Sequence, residues 1–211
     1  MEEKKQEIIQ AARQMFMDYG IRSVSMDDIS KSISISKKTL YHHFDNKAAL
    51  LEALLELEME YIKTQAEGIK AEARDAIHAL FLVSKAINNT ATRSKPVVTF
   101  DLKKYYPGLL NTFVKMKQEF TYEGIAENVR RGIKEGIYRE DLNVDVVARL
   151  YVKKVEQMHD KDLMEDTDCS AGTIFEIMFE NHIRGIANAK GIEIFEKEKE
   201  NLNFNINDND I

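Results

Sequence analysis

The chain has few of the residues that punctuate or staple a fold: one cysteine, two prolines, nine glycines and no tryptophan in 211 residues. A lone Cys169 excludes an intramolecular disulfide framework, and with no partnered His/Asp constellation around it the thiol reads as a plain buried or surface group rather than as a nucleophile. Two prolines leave long stretches free to be helical. No apolar run approaches the ~20 residues that span a bilayer, and the N-terminus is charged and amphipathic, so a soluble cytoplasmic protein with no membrane contact is expected. Signatures of catalysis are missing as well. There is no H-E-x-x-H, no i,i+4 histidine pair, no glycine-rich phosphate loop and no G-x-S-x-G. His159 with Glu156, Asp160 and Asp162 is the grouping that comes nearest to a metal or acid/base site. Its spacing is poor, and a histidine near a helix C-terminus is explained by the helix dipole. His42 and His43 are adjacent, point about 100° apart on a helix and do not readily share a metal. The reading is therefore not an enzyme, with no catalytic residue, no metal and no cofactor. A helical enzyme with a carboxylate/His159 site stands as the distant alternative.

Glu, Lys, Ile, Ala and Leu are the commonest residues, and with so little proline the composition favours an all-α chain. The net charge of −6 is unevenly spread, with +1 over residues 1–50 and −7 over the rest. Overall acidity argues against a non-specific nucleic-acid coat protein, and the positive end marks where DNA contact would be sought.

That end carries two short helical patterns at helix-turn-helix spacing, SMDDISKSISISKKTLYHHFDNK, Ser25 to Lys47. Met26, Ile29 and Ile33 recur at helical spacing, and Ser25 with Asp28 forms an N-terminal capping pair. Ser34 breaks the period, Ile35 supplies an anchor, and Ser36 is the N-cap of a second helix after a turn of about three residues. On that helix Leu40 and Phe44 share the packing face. Lys38, Thr39 and His42 lie opposite, with Lys37, Tyr41 and His43 on the flanks. Lysines neutralise phosphates, while hydroxyls and imidazoles reach phosphate or base edges, although an ordinary solvated helix would also look Lys-rich. Lys47 breaks a local rule. A cation in the first turn of a helix, behind Asn46 as N-cap, opposes the macrodipole, and a phosphate clamp would explain it. Upstream, Ile8, Ile9, Ala12, Met15, Phe16 and Tyr19 trace the stripe of a first helix that Gly20 terminates.

This segment resembles the DNA-binding domain of the TetR family of bacterial transcriptional regulators, through Ser25-Met26-Asp27-Asp28-Ile29, Ser36-Lys37-Lys38-Thr39-Leu40-Tyr41-His42-His43-Phe44, Lys47 and Leu50. Family members have threonine in place of Ser25, small residues in place of Ser30 and Ile33, and glycine in place of Ser34, where positive φ would strain a serine. The resemblance implies that Tyr41 and Lys47 hold phosphates and that Ser25 caps the second helix and touches the backbone. It also implies that Lys37, Lys38, Thr39 and His42 lie in or beside the major groove. FDLKKYYPGL, RRGIKEGIYREDLN and IRGIANAKGIEIFE resemble the same family more loosely, and imply a ligand-binding body whose last two long helices pair with a second subunit in a four-helix bundle.

The rest of the chain reads as helices from Lys47 to about Gly68, through Ala76–Ser84, from Pro96, from Pro107 to Glu135, from Val146 to Met158 and from Thr173 to Ile186. A short piece from Ile192 to Glu200 follows Gly191. The expected organisation is a helix-turn-helix DNA-binding domain at 1–46, a helical effector-binding and dimerisation domain at 47–200, and a flexible tail at 201–211. An effector pocket is sought among Phe81, Phe100, Phe113, Met116, Phe120 and Met158, with Tyr61, His78 and Tyr105 to orient a ligand, and most of these residues serve as plain core. The expected function is a homodimeric, ligand-responsive regulator, most simply a repressor, that binds a pseudo-palindrome on double-stranded DNA and is released by a small molecule. A helix-turn-helix architectural or adaptor protein without an effector is the alternative.

Overall fold

The computed structural model describes residues 2–91, 95–157 and 169–201. Among the described residues the chain forms ten α-helices and no strand. They are α1 Glu2–Tyr19, α2 Met26–Ser32, α3 Lys37–His43, α4 Lys47–Glu72, α5 Ala76–Ala91, α6 Pro96–Tyr105, α7 Pro107–Lys134, α8 Val144–Gln157, α9 Ala171–Ile186 and α10 Ala189–Asn201. Two compact units share them. One comprises Met1–Gln65 and Arg93–Lys117, the other Ala66–Thr92 and Gln118–Ile211.

In the first unit the apolar stripe of α1 is covered by the three helices that follow it. Ile8, Ala12, Phe16, Ile29, Leu40 and Leu50 are all buried in one cluster. Leu51, Leu55 and, from α6, Leu102 complete that cluster. The expected head of residues 1–46 is thus smaller than the packed unit. A stripe as broad as that of α1 needs α4 to close it, and α6 docks on the same corner although it comes later in the chain. Gly20, at φ +81°, permits that docking, because a Cβ there would sit 3.0 Å from Val97 Cγ2 and 3.1 Å from Asp101 Oδ2.

The second unit is built on aromatic packing. Phe81 of α5 meets Phe179 of α9 edge-on at 5.3 Å and stacks with Phe195 of α10 at 5.7 Å. Between α7 and α8 the chain turns at Gly136, φ +67°, and Tyr138 is fully buried. An isolated bridge pairs Tyr138 with Ala187, where the Arg139 N–H donates to the Ile186 carbonyl (2.9 Å) and the Asn188 N–H to that of Ile137 (3.1 Å). Gly132 makes room for the Tyr138 ring.

Two glycines placed at expected helix boundaries lie inside helices instead. Gly68 lies inside α4 with open space around it, where a helix tolerates glycine at a cost of about 1 kcal/mol. Gly191 lies inside α10, which Asn188 caps by accepting the Gly191 N–H at 3.1 Å. Its lack of a Cβ is spent on close approach, since a Cβ would fall 2.1 Å from the Ile137 carbonyl oxygen.

Candidate DNA-binding interface

The helix-turn-helix is built from three short-range devices. Ser25 caps α2 reciprocally: its Oγ accepts the Asp28 N–H (3.2 Å), while Asp28 Oδ2 accepts the Ser25 N–H (2.9 Å) and hydroxyl (2.6 Å). The Ser25 hydrogen bonds hold the Asp28 carboxyl below the usual aspartate range. At the other end of α2, the Ser34 N–H donates to the Lys31 carbonyl and the Ile35 N–H to the Ser30 carbonyl. These are the two bonds of a Schellman motif, which places Ser34 at the left-handed position with φ +55°. Serine therefore occupies the conformation that glycine would fill more cheaply, and the turn keeps its geometry at the cost of local strain. Ser36 then caps α3 by accepting the Thr39 N–H at 3.0 Å, and its hydroxyl also meets Thr39 Oγ1 at 2.8 Å.

The result fixes α3 with Leu40 fully buried and Phe44 behind it, while Lys37, Lys38, Tyr41 and His42 are exposed and Thr39 is half-buried. Tyr41 keeps 46 % of its surface, enough to offer its hydroxyl to a partner. The His42 and His43 rings meet edge-on at 5.5 Å. Lys37 is already engaged, its Nζ donating to Asp27 Oδ2 of α2, and this hydrogen bond raises the lysine's proton affinity.

Lys47 departs from expectation. Its ammonium turns inward, donating to the carbonyls of Ile21 and Val24 and lying 5.7 Å from the centroid of the Phe16 ring. Partial burial lowers its proton affinity, partly offset by Asp101 and Asp28. The side chain ties the start of α4 to the α1–α2 loop rather than standing free as a phosphate clamp. The broken dipole rule is explained by those two carbonyls, which have no helical partner. The same loop is held from α6. The buried Asp101 carboxylate accepts the Arg22 N–H (2.8 Å), and the Arg22 guanidinium donates to Tyr105 Oη (2.6 Å) and lies over the Tyr105 ring. Sequence reasoning missed Asp101. The available signal was a carboxylate on the apolar side of FDLKKYY.

Residues 8–54 match the sequence family described as bacterial regulatory proteins, tetR family. Residues 8–54 are therefore a TetR-type helix-turn-helix domain. It is 27 % identical over 151 residues to the HTH-type transcriptional repressor KstR2 of Mycolicibacterium smegmatis, covering 69 % of this chain and 73 % of that one. It is 29 % identical over 147 residues to the HTH-type transcriptional regulator UidR of Escherichia coli K12, covering 68 % and 73 %. In fold it resembles a TetR-family regulator from Cytophaga hutchinsonii, with a TM-score of 0.67 at 18 % identity over 88 % of this chain and 95 % of that one. TetR-family proteins are DNA-binding transcriptional regulators rather than enzymes, so the catalytic alternative is set aside.

The effector candidates are dispersed. In the first unit Tyr61, Phe100 and Met116 are exposed, Tyr105 serves Arg22, and Phe113 packs against the core of the head. In the second, Phe81 is part of the aromatic core, Phe120 is half-buried, and His78 Nδ1 accepts the Arg74 N–H at 3.2 Å. Met158 and His159 lie outside the described residues. Among the described residues no group of three or more metal-ligating side chains occurs, and no helix is long and apolar enough to cross a membrane.

Proposed function

We propose that the chain is a ligand-responsive repressor that binds a pseudo-palindromic operator as a homodimer and releases it when a small molecule occupies the second unit. The observation that carries this reading is the doubly capped helix-turn-helix, which leaves Lys38, Tyr41 and His42 free on α3 while Leu40 anchors it. Lys38, Thr39 and His42 are the base-edge candidates, and Ser25, Lys37 and Tyr41 the phosphate candidates. One seven-residue helix reads too few base pairs for useful specificity, which two heads related by a twofold axis supply. For the dimer, α8 and α9 expose Val146, Leu150 and Ile177, large apolar side chains on the helices expected to pair. Repression follows the printed name of the KstR2 relative. For an effector, the second unit offers two buried polar atoms without a hydrogen-bond partner among the described residues, Ser84 Oγ and His182 Nε2. Such atoms are rare in native cores and are natural handles for a ligand. Neither was visible as a candidate in the sequence. Differential affinity of about 1 to 3 kcal/mol between two states would suffice to release the operator.

Selection of random duplex DNA by the purified protein at about 150 mM salt tests the reading, because weak phosphate-only binding is largely screened there. Enrichment of a pseudo-palindrome with half-sites about one helical turn apart is expected. A folded, dimeric protein that enriches nothing would refute operator recognition by the unliganded chain.

A further inference from the structure

We propose that Asp27 is a built-in brake on DNA binding, which acts by holding Lys37 across the helix-turn-helix and withholding its ammonium from the phosphate backbone. The inference rests on the reading of α3 as the DNA-facing helix. Lys37 is the first residue of α3 and Asp27 the second of α2, and the lysine Nζ donates to Asp27 Oδ2 between the two helices. The pair lies open, the side chains 60 % and 41 % exposed, so a phosphate could reach the same ammonium.

The neighbouring carboxylate has a different duty. Asp28 takes the N–H and the hydroxyl of Ser25 and closes the cap of α2. That cap is complete without the Asp27 carboxylate, whose hydrogen-bond partner among the described residues is Lys37. Asp27 therefore contributes a negative charge at the surface that meets DNA and occupies a cation that would otherwise meet a phosphate. The ammonium has three N–H donors but a single charge, so a phosphate that meets it while the internal pair stands meets a cation already neutralised by Asp27.

The consequence is a uniform lowering of affinity. Phosphate contacts carry no sequence information and supply essentially all non-specific affinity. A head whose first fifty residues carry only +1 and whose leading α3 lysine is internally neutralised holds arbitrary DNA weakly. Lys38, with no ion pair among the described residues, remains for the groove.

The test is fluorescence anisotropy with the full-length protein, against a duplex enriched from the random pool and a scrambled duplex of equal composition, from 50 to 300 mM KCl. Asp27→Asn should tighten binding to both duplexes by about fivefold at 150 mM and steepen the salt slope by about 0.9, the counterion-release values for one added phosphate contact. The gain should vanish when Lys37→Met is also present. Asp27→Ser, another residue suited to a first helical turn, repeats the measurement if the asparagine variant loses its helical signal on heating. No tightening in a folded variant overturns the proposal. So does equal tightening in the Lys37→Met background, which would reduce Asp27 to plain repulsion of DNA. Lys38→Met separates the two layers of inference: if it leaves binding unchanged at every salt, α3 does not face DNA and the interface itself is misassigned.

Discussion

Replacing Lys47 by methionine distinguishes a loop tie from a phosphate clamp. The substitution keeps an apolar stem near the Phe16 ring and removes only the ammonium. Two backbone carbonyls, of Ile21 and Val24, then lose their donor. Hydrogen bonds to a charged group contribute about 1.5–3 kcal/mol each, and half-exposure of the ammonium discounts that by solvent screening. A net loss of about 2 kcal/mol in the first unit is expected. Urea unfolding followed by circular dichroism would report it as a lower midpoint, and amide exchange at residues 20–24 would quicken. DNA affinity should fall by a factor that is the same at 50 and 200 mM salt, because the loss comes from a loosened head and not from a lost phosphate. A variant of unchanged stability whose salt slope flattens by about 0.9 would refute the tie and restore the clamp.

Ser34→Gly should stabilise the protein. The left-handed conformation costs a non-glycine residue about 1–2 kcal/mol, and glycine's extra freedom in the unfolded chain returns about 0.5–1 of it, leaving a gain of about 1 kcal/mol in urea unfolding. Ser34→Val should move the midpoint the other way. Gly132→Ala should destabilise by about 3 kcal/mol, since its Cβ would fall 2.1 Å from Cδ2 of a Tyr138 ring with nowhere to go, and near-ultraviolet dichroism of the tyrosines would register the shift. Burial, with Lys154 nearby, lowers the His182 imidazole to about 4 from its usual 6.5. The folded state then refuses a proton that the unfolded chain accepts, so stability is full above about pH 6.5 and falls as the pH drops toward 4, by about 3 kcal/mol in total. His182→Leu should flatten that dependence, and an unchanged pH profile would show that the imidazole is not desolvated.

The local devices were legible because each is written in adjacent residues. Ser25 and Asp28, Ser36, Asn46, the prolines at 96 and 107, and the Leu40/Phe44 anchor all act within one or two helical turns, where sequence spacing translates directly into geometry. Ser34 was legible as a problem, and the structure shows that the turn keeps its shape and bears the strain.

What the sequence could not decide was where long-range partners lie. Lys47 stands 26 residues from Ile21, and Asp101 stands 79 residues from Arg22. Neither pairing follows from any spacing rule, so a cation that spacing alone suggested for phosphate is used on carbonyls. Gly191 reads in sequence only as the residue before a short helical piece, but its meaning is the approach of Ile137 from another part of the chain. The dispersal of the effector candidates has the same cause. Helical periodicity says that Phe81 and Phe100 sit on apolar or exposed stripes of their own helices, but only packing puts one in the core of the second unit and the other on the surface of the first. The sequence determined the helices, their caps and the face that α3 offers. The tertiary structure decided which charges remain free to meet DNA, because an ammonium's partner is whichever acceptor folding brings within reach.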